Sequence, residues 1–286
     1  MTTIRRAAHA KINLGLHVLH RRADAFHEIE TVMLPIGWAD ILEATAAEAP
    51  TLTLSCSDPS LPTGHDNLVL QAAVALQRHA ATTAGAVLHL QKNVPYGAGL
   101  GSGSSDAANT LLALRDLWQL DLSDDTLESL AAMIGSDAPF FIRSAPAVAQ
   151  GRGERLRPLI DHTGVHYRCP FHLVVAMPPV HVNTAEAYRL ISPCASGRAT
   201  IADVVLSNDL SVWRSDLVND FEEPIMERYP QIARTRDVLL QRGAGYAAMS
   251  GSGAAVFGVF TDESAARRAA DSLTDDGCAV WVDSPA

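Results

Sequence analysis

The sequence contains 286 residues, 48% of them hydrophobic, which is enough for one large or two ordinary domains with a real core. Its 22 basic and 32 acidic residues give a net charge of −10, and no basic run could follow a nucleic-acid backbone, so nucleic acid is excluded as an expected partner. The four cysteines lack paired or metal-ligand spacing, and no apolar run reaches the length of a membrane span. We therefore expect a soluble, cytoplasmic protein without a disulfide or a zinc site.

Residues 10–18 alternate between apolar and polar side chains, a pattern typical of a half-buried strand. Lys11 and Asn13 lie on the polar face, so the strand would present an ammonium and an amide side by side. This pair indicates either a functional site or an ordinary solvated face. Lys11 and Lys92 are the only lysines among the 22 basic residues, which indicates either a need for a compact point charge or an arginine-biased composition.

The next segment, residues 21–28, is a polar loop that holds one aromatic and one imidazole side chain. We call it the base loop, because the ring of Phe26 could stack on a nucleobase while His27 bonds to the edge of that base. The alternative is that Phe26 fills the core and His27 lies on the surface.

The region up to residue 92 contains several regular elements. Strand-like runs occupy 31–36, 40–44 and 51–56, a helix is predicted to begin after Asp66 and run to about His79, and a strand is predicted at 86–91. Lys92 follows this strand and would meet either a phosphate or nothing.

A glycine-rich loop follows, with glycines at the alternate positions 97, 99, 101 and 103. Glycine permits positive φ and close approach to a ligand. The loop leads into a helical pattern over 107–118, for which Ser104 or Ser105 would be the N-cap. Because a glycine loop at a helix N-terminus suits an anion, we predict a phosphate cradle, which we call the glycine loop. Its residues are Pro95, Tyr96, Gly97, Ala98, Gly99, Leu100, Gly101, Ser102, Gly103, Ser104 and Ser105.

Two familiar nucleotide motifs do not fit this loop. No Gly-Lys-Ser/Thr occurs, and no Gly-x-Gly-x-x-Gly can be drawn through residues 97–103. The alternative is that this segment is a flexible linker. A linker, however, is not normally followed at once by an amphipathic helix with an N-cap residue.

Further along, Ser123 is predicted to cap a helix that runs through Met133 and ends at Gly135. Asp137 comes next, with Pro139 two residues later. By chemistry alone this arrangement indicates a structural helix cap.

The second half begins with a turn between strands at 148–154 and an unpatterned connection at 160–170. We place a domain boundary there, giving domains at 1–160 and 161–286. A strand is expected at 171–177 and a helix capped by Thr184. A second glycine cluster at 243–260 changes from loop to strand, and a helix at 264–273 and a strand at 279–282 complete the chain.

The motif Pro-x-Gly-Ala-Gly-Leu-Gly-x-Gly-Ser-Ser-Asp-Ala-Ala at 95–108 resembles the ATP loop of the superfamily that contains galactokinase, homoserine kinase, mevalonate kinase and phosphomevalonate kinase. Three other segments resemble motifs of the same superfamily: Ala-Lys-Ile-Asn-Leu at 10–14, Gly-x-Asp-x-Pro-x-Phe at 135–141 and Ser-Gly-Ser-Gly-Ala at 250–254. The resemblance covers nearly the whole chain. It implies an α+β, two-domain fold, with a ribosomal-protein-S5-like N-terminal domain and a ferredoxin-like C-terminal domain. It also implies ATP and Mg²⁺ as cofactors, with Lys11 and Asp137 as catalytic residues.

The long form of the loop is similar to one branch of this superfamily, which phosphorylates the C2 hydroxyl of a cytidine-diphosphate-linked methylerythritol in non-mevalonate isoprenoid biosynthesis. In that branch the base loop holds the cytosine, which implies that Asn13, Phe26 and His27 bind the substrate. The branch usually has glycine, tyrosine and glycine where this sequence has Ala25, Phe26 and Ser102. Ala25 and Ser102 carry a Cβ where glycine would accept a positive φ freely, and Phe26 lacks the hydroxyl of tyrosine.

Two other functions remain open from the sequence. One is another kinase of the superfamily, acting on homoserine or a mevalonate derivative. The other is a catalytically silent regulator that binds a nucleotide. The spacing of acidic residues assigns no metal ligands, and the sequence does not indicate an oligomeric state.

Overall fold

The computed structural model describes residues 2–48, 50–194 and 197–285. The chain divides into two compact units, each assembled from separate segments. The first unit comprises Met1–Ala10, Gly37–Tyr96 and Gly101–Ala145, and the second comprises Lys11–Ile36, Gly97–Leu100 and Pro146–Ala286. The domain boundary between 160 and 161 stays a prediction. Within the described residues, no helix is long and apolar enough to cross a membrane.

Two long strands contribute residues to both units, namely β1 (Thr3–Arg21) and β2 (His27–Ala47), and they pair with each other. The remaining elements of the first unit are β3 (Leu52–Cys56), α1 (Leu68–His79), β4 (Gly85–Gln91), α2 (Ser102–Leu117), α3 (Asp124–Ile134) and α4 (Phe140–Arg143). The end of β2 pairs antiparallel with β4, and β4 pairs parallel with β3. Helix α2 is buried almost all round from residue 105 to residue 114, so it is the central helix of this unit.

The second unit contains a hairpin and a separate four-stranded sheet. The hairpin strands β5 (Ala147–Gly151) and β6 (Arg155–Pro158) extend from the start of β2. The sheet contains β7 (His172–Met177), β8 (Tyr246–Met249), β9 (Val256–Phe260) and β10 (Ala279–Asp283) in the order β10-β7-β9-β8. The helices of the unit are α5 (Thr184–Leu190), α6 (Ile201–Leu206), α7 (Leu210–Asp216), α8 (Glu222–Arg228), α9 (Pro230–Gln241) and α10 (Glu263–Asp275).

The connectivity of this sheet agrees with the predicted ferredoxin-like arrangement. Helices α5 to α8 are inserted between β7 and α9. Without them, the order β7, α9, β8, β9, α10, β10 along the chain gives an antiparallel β-α-β-β-α-β unit. Helix α9 was not predicted, although Ile232, Thr235 and Leu239 form a buried stripe at helical spacing and Pro230 stands at its start.

Ser123 caps α3 as predicted, whereas the other predicted N-cap residues are corrected by the structure. Neither Ser104 nor Ser105 caps α2, because the helix has already begun at Ser102 and the Ser105 hydroxyl donates to the His9 carbonyl at 2.6 Å. The N-cap residue of α4 is Pro139 and not Asp137, and the N-cap residue of α5 is Asn183 and not Thr184. Gly135 ends α3 in an extended conformation with φ −167°, so it is not a left-handed cap.

Two strand predictions also change. The runs at 31–36 and 40–44 belong to one strand, because buried Asp40 accepts hydrogen bonds from the backbone N–H groups of Asn93 and Val94 and so fits inside β2. The prediction that β1 is half-buried over 10–18 is wrong. The apolar face is buried, and the polar residues Lys11 and Asn13 are only 3% and 2% exposed. Alternation marked the polar face correctly, but other segments of the second unit cover that face.

Candidate active site

The part of the glycine loop that belongs to the second unit, Gly97–Leu100, has its carbonyl groups turned towards protein donors. The Ala98 carbonyl accepts from the Ala255 N–H, and the Leu100 carbonyl accepts from the Lys11 N–H, each at 3.0 Å. The Gly99 carbonyl accepts from Lys11 Nζ at 3.1 Å and from Ser250 Oγ at 3.0 Å. A carbonyl oxygen facing a polyanion would repel it, so this inward orientation suits a phosphate loop.

Glycine is required at position 99 for two independent reasons. Its φ is +75°, and a Cβ built there would lie 2.3 Å from the backbone oxygen of Ser250. In the same way, a Cβ on Gly251 would lie 3.2 Å from Asn13 Oδ1. The glycine loop and the turn at 250–254 thus approach each other closely because both positions lack a side chain.

Lys11 and Asn13 form a buried, hydrogen-bonded pair on β1. Lys11 Nζ donates to Asn13 Oδ1 at 2.5 Å, and Asn13 Nδ2 donates to Thr31 Oγ1 at 3.1 Å. The Asn13 backbone N–H donates to Ser250 Oγ at 3.1 Å. Because each group is fixed by a neighbour, the ammonium of Lys11 is held in a fixed place against the glycine loop.

Asn219 supports this arrangement from the opposite side of the turn at 250–254. Its Nδ2 donates to the carbonyls of Met249 and Gly251 at 2.8 and 2.9 Å, and the side chain is 2% exposed. No role was predicted for Asn219 from the sequence. The signal that could have found it is the Asn-Asp-Phe-Glu segment at 219–222.

The part of the glycine loop in the first unit leads into α2. Gly101 is the N-cap, with φ 68° and ψ 17°, and Ser102 is the first helical residue. The left-handed conformation therefore falls on Gly101, and a serine at 102 fits without strain. The N–H groups of the first turn have no acceptor within the helix, so this end of α2 suits an anion. Tyr96, the last residue before the second unit's part of the loop, is 61% exposed.

Asp137 lies in the turn that precedes α4, in the first unit. The Ala138 N–H donates to the Gly135 carbonyl at 3.2 Å, and the rings of Phe140 and Phe141, packed edge to face, anchor the following helix in the core. Asp137 itself is half-buried. The turn therefore holds a carboxylate just ahead of α4.

The base loop keeps a left-handed residue despite the loss of glycine. Ala25 has φ 69°, and the turn is closed by a 2.8 Å hydrogen bond from the Arg22 N–H to the Phe26 carbonyl. Phe26 is 51% exposed, which rules out the alternative that it fills the core. The guanidinium of Arg152 lies 4.8 Å from the centre of the Phe26 ring and covers one face.

His27 stacks against a second aromatic ring that the sequence analysis missed. Its imidazole lies 4.8 Å from the ring of Tyr188 at an angle of 15°. Burial lowers the pKa of His27, and nearby Arg21 lowers it further. A neutral imidazole offers one donor and one acceptor, which is suited to the edge of a base.

Glu28 joins the base loop to the β5–β6 hairpin. Its carboxylate accepts from the Gly151 N–H at 3.0 Å and from Arg22 Nη1 at 2.8 Å, and it also pairs with Arg155. Arg152 is the next residue after Gly151, so this junction places its guanidinium over Phe26. Local sequence patterns cannot reveal such a contact, because it joins residues more than a hundred positions apart.

Two family descriptions match the chain. "GHMP kinases N terminal domain" matches residues 67–145, and "GHMP kinases C terminal" matches residues 202–277. The fold, the glycine loop and these matches define a GHMP-type kinase, and the predicted fold class is confirmed.

Individual kinases are similar to this chain over nearly its whole length. The 4-diphosphocytidyl-2-C-methyl-D-erythritol kinase of Salinibacter ruber is 51% identical over 267 residues, 93% of each chain. That of Chlorobium phaeobacteroides is 41% identical over 269 residues, covering 92% of this chain and 91% of the relative. A crystal structure of 4-(cytidine 5′-diphospho)-2C-methyl-D-erythritol kinase has a TM-score of 0.81 and 34% identity, with 98% of each chain covered. The chain belongs to the 4-diphosphocytidyl-2-C-methyl-D-erythritol kinase family.

The first prediction concerns Gly99. Gly99→Ala should destabilise the protein by at least about 2 kcal/mol, since a left-handed alanine alone costs about 1–2 kcal/mol and its Cβ also meets the Ser250 carbonyl. Gly103→Ala is the matched control, because Gly103 lies in α2 and its Cβ would make an ordinary 3.6 Å contact with Leu68. Denaturant unfolding of both variants measures the difference. Equal effects would contradict the assignment.

The second prediction concerns the left-handed alanine of the base loop. Ala25→Gly should relieve about 1–2 kcal/mol of strain and so be neutral or stabilising, even though glycine costs about 0.5–1 kcal/mol in backbone entropy. The control is Ala185→Gly on the exposed side of α5, which should lose about 0.5–1 kcal/mol. Thermal unfolding compares them, and a greater loss for Ala25→Gly than for the control would show that position 25 is unstrained.

Proposed function

We propose that this protein transfers the γ-phosphoryl group of MgATP to the C2 hydroxyl of 4-diphosphocytidyl-2-C-methyl-D-erythritol. The products are the 2-phosphate and ADP, and the reaction serves non-mevalonate isoprenoid biosynthesis. The observation that carries the proposal is the buried Lys11, whose ammonium bonds to the Gly99 carbonyl within the glycine loop of a chain of this family.

In phosphoryl transfer, most of the catalysis comes from positioning and charge stabilisation. The glycine loop and the N-terminus of α2 bind the triphosphate of ATP. Lys11 contacts the moving phosphoryl group and stabilises the nascent alkoxide. Asp137 accepts the proton of the C2 hydroxyl or orients that hydroxyl for attack.

The base loop recognises the cytosine of the substrate. Phe26 offers a flat ring with one face covered by Arg152, so the base stacks on the other face. His27 bonds to the edge of the base. Asn13 contributes to the substrate site, and its amide oxygen also holds the ammonium of Lys11.

Mg²⁺ enters with the nucleotide as part of the MgATP substrate. Across the described ranges, no group of three or more His, Cys, Asp or Glu side chains is placed to hold a metal ion. Mg²⁺ at nucleotide sites usually keeps several waters and is bound by substrate phosphates with one or two carboxylates. We further propose a cytoplasmic location and the division into domains at 1–160 and 161–286.

The two rival functions fit the structure less well. A homoserine or mevalonate kinase has no use for the exposed Phe26 ring beside the stacked His27–Tyr188 pair. A silent nucleotide-binding regulator has no use for a lysine buried and held at the loop by two side-chain hydrogen bonds. Release of ADP in the presence of the substrate separates an enzyme from such a regulator.

The third prediction tests the proposed base. Asp137→Asn should lower kcat by about 10²–10⁴-fold, the usual contribution of a general base, while the protein stays folded. Asp271→Asn on the exposed face of α10 is the control and should leave kcat unchanged. A coupled assay of ADP release measures both. Near-normal turnover by Asp137→Asn would remove this residue from the mechanism.

The fourth prediction tests the substrate. CDP should compete with the cytidylyl substrate but not with ATP, and mevalonate should compete with neither. Because base stacking on an aromatic ring is worth about 1–3 kcal/mol, Phe26→Ala should raise the KM of the cytidylyl substrate roughly 5- to 150-fold and leave the KM of ATP unchanged. The exposed apolar control Val165→Ala should alter neither constant. An unchanged KM in Phe26→Ala would contradict recognition of the base by this ring.

A further inference from the structure

The second lysine of the chain, Lys92, lies between two buried carboxylates in the first unit. Its Nζ donates to Asp106 Oδ2 at 2.8 Å and pairs closely with Asp40 Oδ2. The side chains of Lys92, Asp40 and Asp106 are 6%, 0% and 4% exposed. We call these three residues the carboxylate–lysine triad. None of these three residues has a role in the proposed reaction.

The triad joins the elements on either side of the glycine loop within this unit. Asp40 belongs to β2, Lys92 follows the end of β4, and Asp106 is the fifth residue of α2. Asp40 also accepts from the N–H groups of Asn93 and Val94, at 2.6 and 2.9 Å. The chain that leads into the loop is thus fastened to the helix that leaves it.

The charges of the triad do not cancel when both carboxylates are ionised. One ammonium against two carboxylates leaves one net negative charge near the end of α2 that suits phosphate. Removing Lys92 would leave two negative charges there. Asp106 Oδ1 is buried and has no hydrogen-bond partner among the described residues, so its charge is only partly compensated.

Burial and the two neighbouring charges shift the pKa of Asp106. Burial raises the pKa of Asp106 to about 7, with Lys92 acting in the opposite direction and Asp40 reinforcing the rise. Burial opposes the charge of Lys92, but Asp106 and Asp40 outweigh it and raise the pKa of Lys92. Hydrogen bonds from Ser60 lower the pKa of Asp58, and the charge of Lys92 lowers it further. Lys92 therefore stays charged at neutral pH, while Asp106 titrates near it.

We propose that Lys92 is a positioning residue for the nucleotide: it fastens the start of α2 to the strand end that leads into the glycine loop, and it offsets the Asp106 charge that opposes the triphosphate. A compact ammonium suits a place between two buried carboxylates better than the planar fork of arginine, in a chain whose only other lysine is Lys11. This inference rests on ATP binding in the proposed function.

The test is calorimetric titration of the protein with ADP and Mg²⁺, without the second substrate, from pH 6 to pH 8.5. Above pH 7 Asp106 is ionised and repels the nucleotide, and below pH 7 it is neutral. ADP affinity of the wild type should therefore fall about five- to tenfold as the pH rises through 7. Asp106→Asn should lose this fall in ADP affinity. Any pH dependence that remains in the variant comes from the ionisation of ADP itself. Asp116→Asn, a partly exposed position near the end of the same helix, should keep the wild-type profile.

Lys92 is tested in the same titration. Lys92→Met should weaken ADP binding at least about tenfold at pH 8, because two carboxylates are then unpaired. Adding Asp106→Asn to Lys92→Met should restore part of that loss, and Lys92→Arg should restore less than the native lysine does. Thermal unfolding identifies folded variants. If Lys92→Met does not fold, the pH profile of Asp106→Asn decides the question.

Three results would overturn the inference: normal ADP affinity in folded Lys92→Met, an unchanged pH profile in Asp106→Asn, or no ADP binding to the wild type. Failure of the proposed function appears elsewhere, as ADP binding with the expected pH profile but no turnover of the cytidylyl substrate.

Discussion

The carbonyl oxygen of Gly99 is the acceptor on which the geometry of the second unit's candidate active-site residues depends. It receives hydrogen bonds from Lys11 on β1 and from Ser250 after β8, at 3.1 and 3.0 Å. Because two donors from distant parts of the chain meet at one oxygen, the lysine and the loop backbone are fixed together. Groups arranged in this way need little reorganisation when charge develops in a reaction. The requirement for glycine at position 99 follows from the same crowding.

The fold was largely predictable where the pattern is local. The strand around Lys11, the helix after the glycine loop and the helix capped by Ser123 all follow from periodicity and capping chemistry. The burial of Lys11 and Asn13 was not predictable, because the groups that contact them come from separate segments of the chain, among them Gly99 in the glycine loop and Ser250 after β8. A two-residue period reports which side chains share a face of a strand, and distant segments decide what covers that face.

Departures from the family pattern proved informative once backbone conformations were known. Ser102 replaces a glycine, but the left-handed conformation falls on its neighbour Gly101, so the side chain is accommodated in the first turn of α2. Ala25 also replaces a glycine and does adopt φ 69°. The same kind of substitution is therefore harmless at one position and strained at the other, and only the backbone distinguishes them. Arg152 and Tyr188 were missed for a different reason, since each meets its aromatic or imidazole partner only through the tertiary fold.

The guanidinium of Arg152 restricts the face of the Phe26 ring on which a planar ligand could stack. With the Arg152 guanidinium on one side, the ring is already partly desolvated and its orientation is restrained before any base is present. In the proposed substrate site, a base would stack on the remaining face and complete a three-layer sandwich of cation, arene and base. Such a site would be directional, and a ring restrained before the ligand binds lowers the entropy cost of binding.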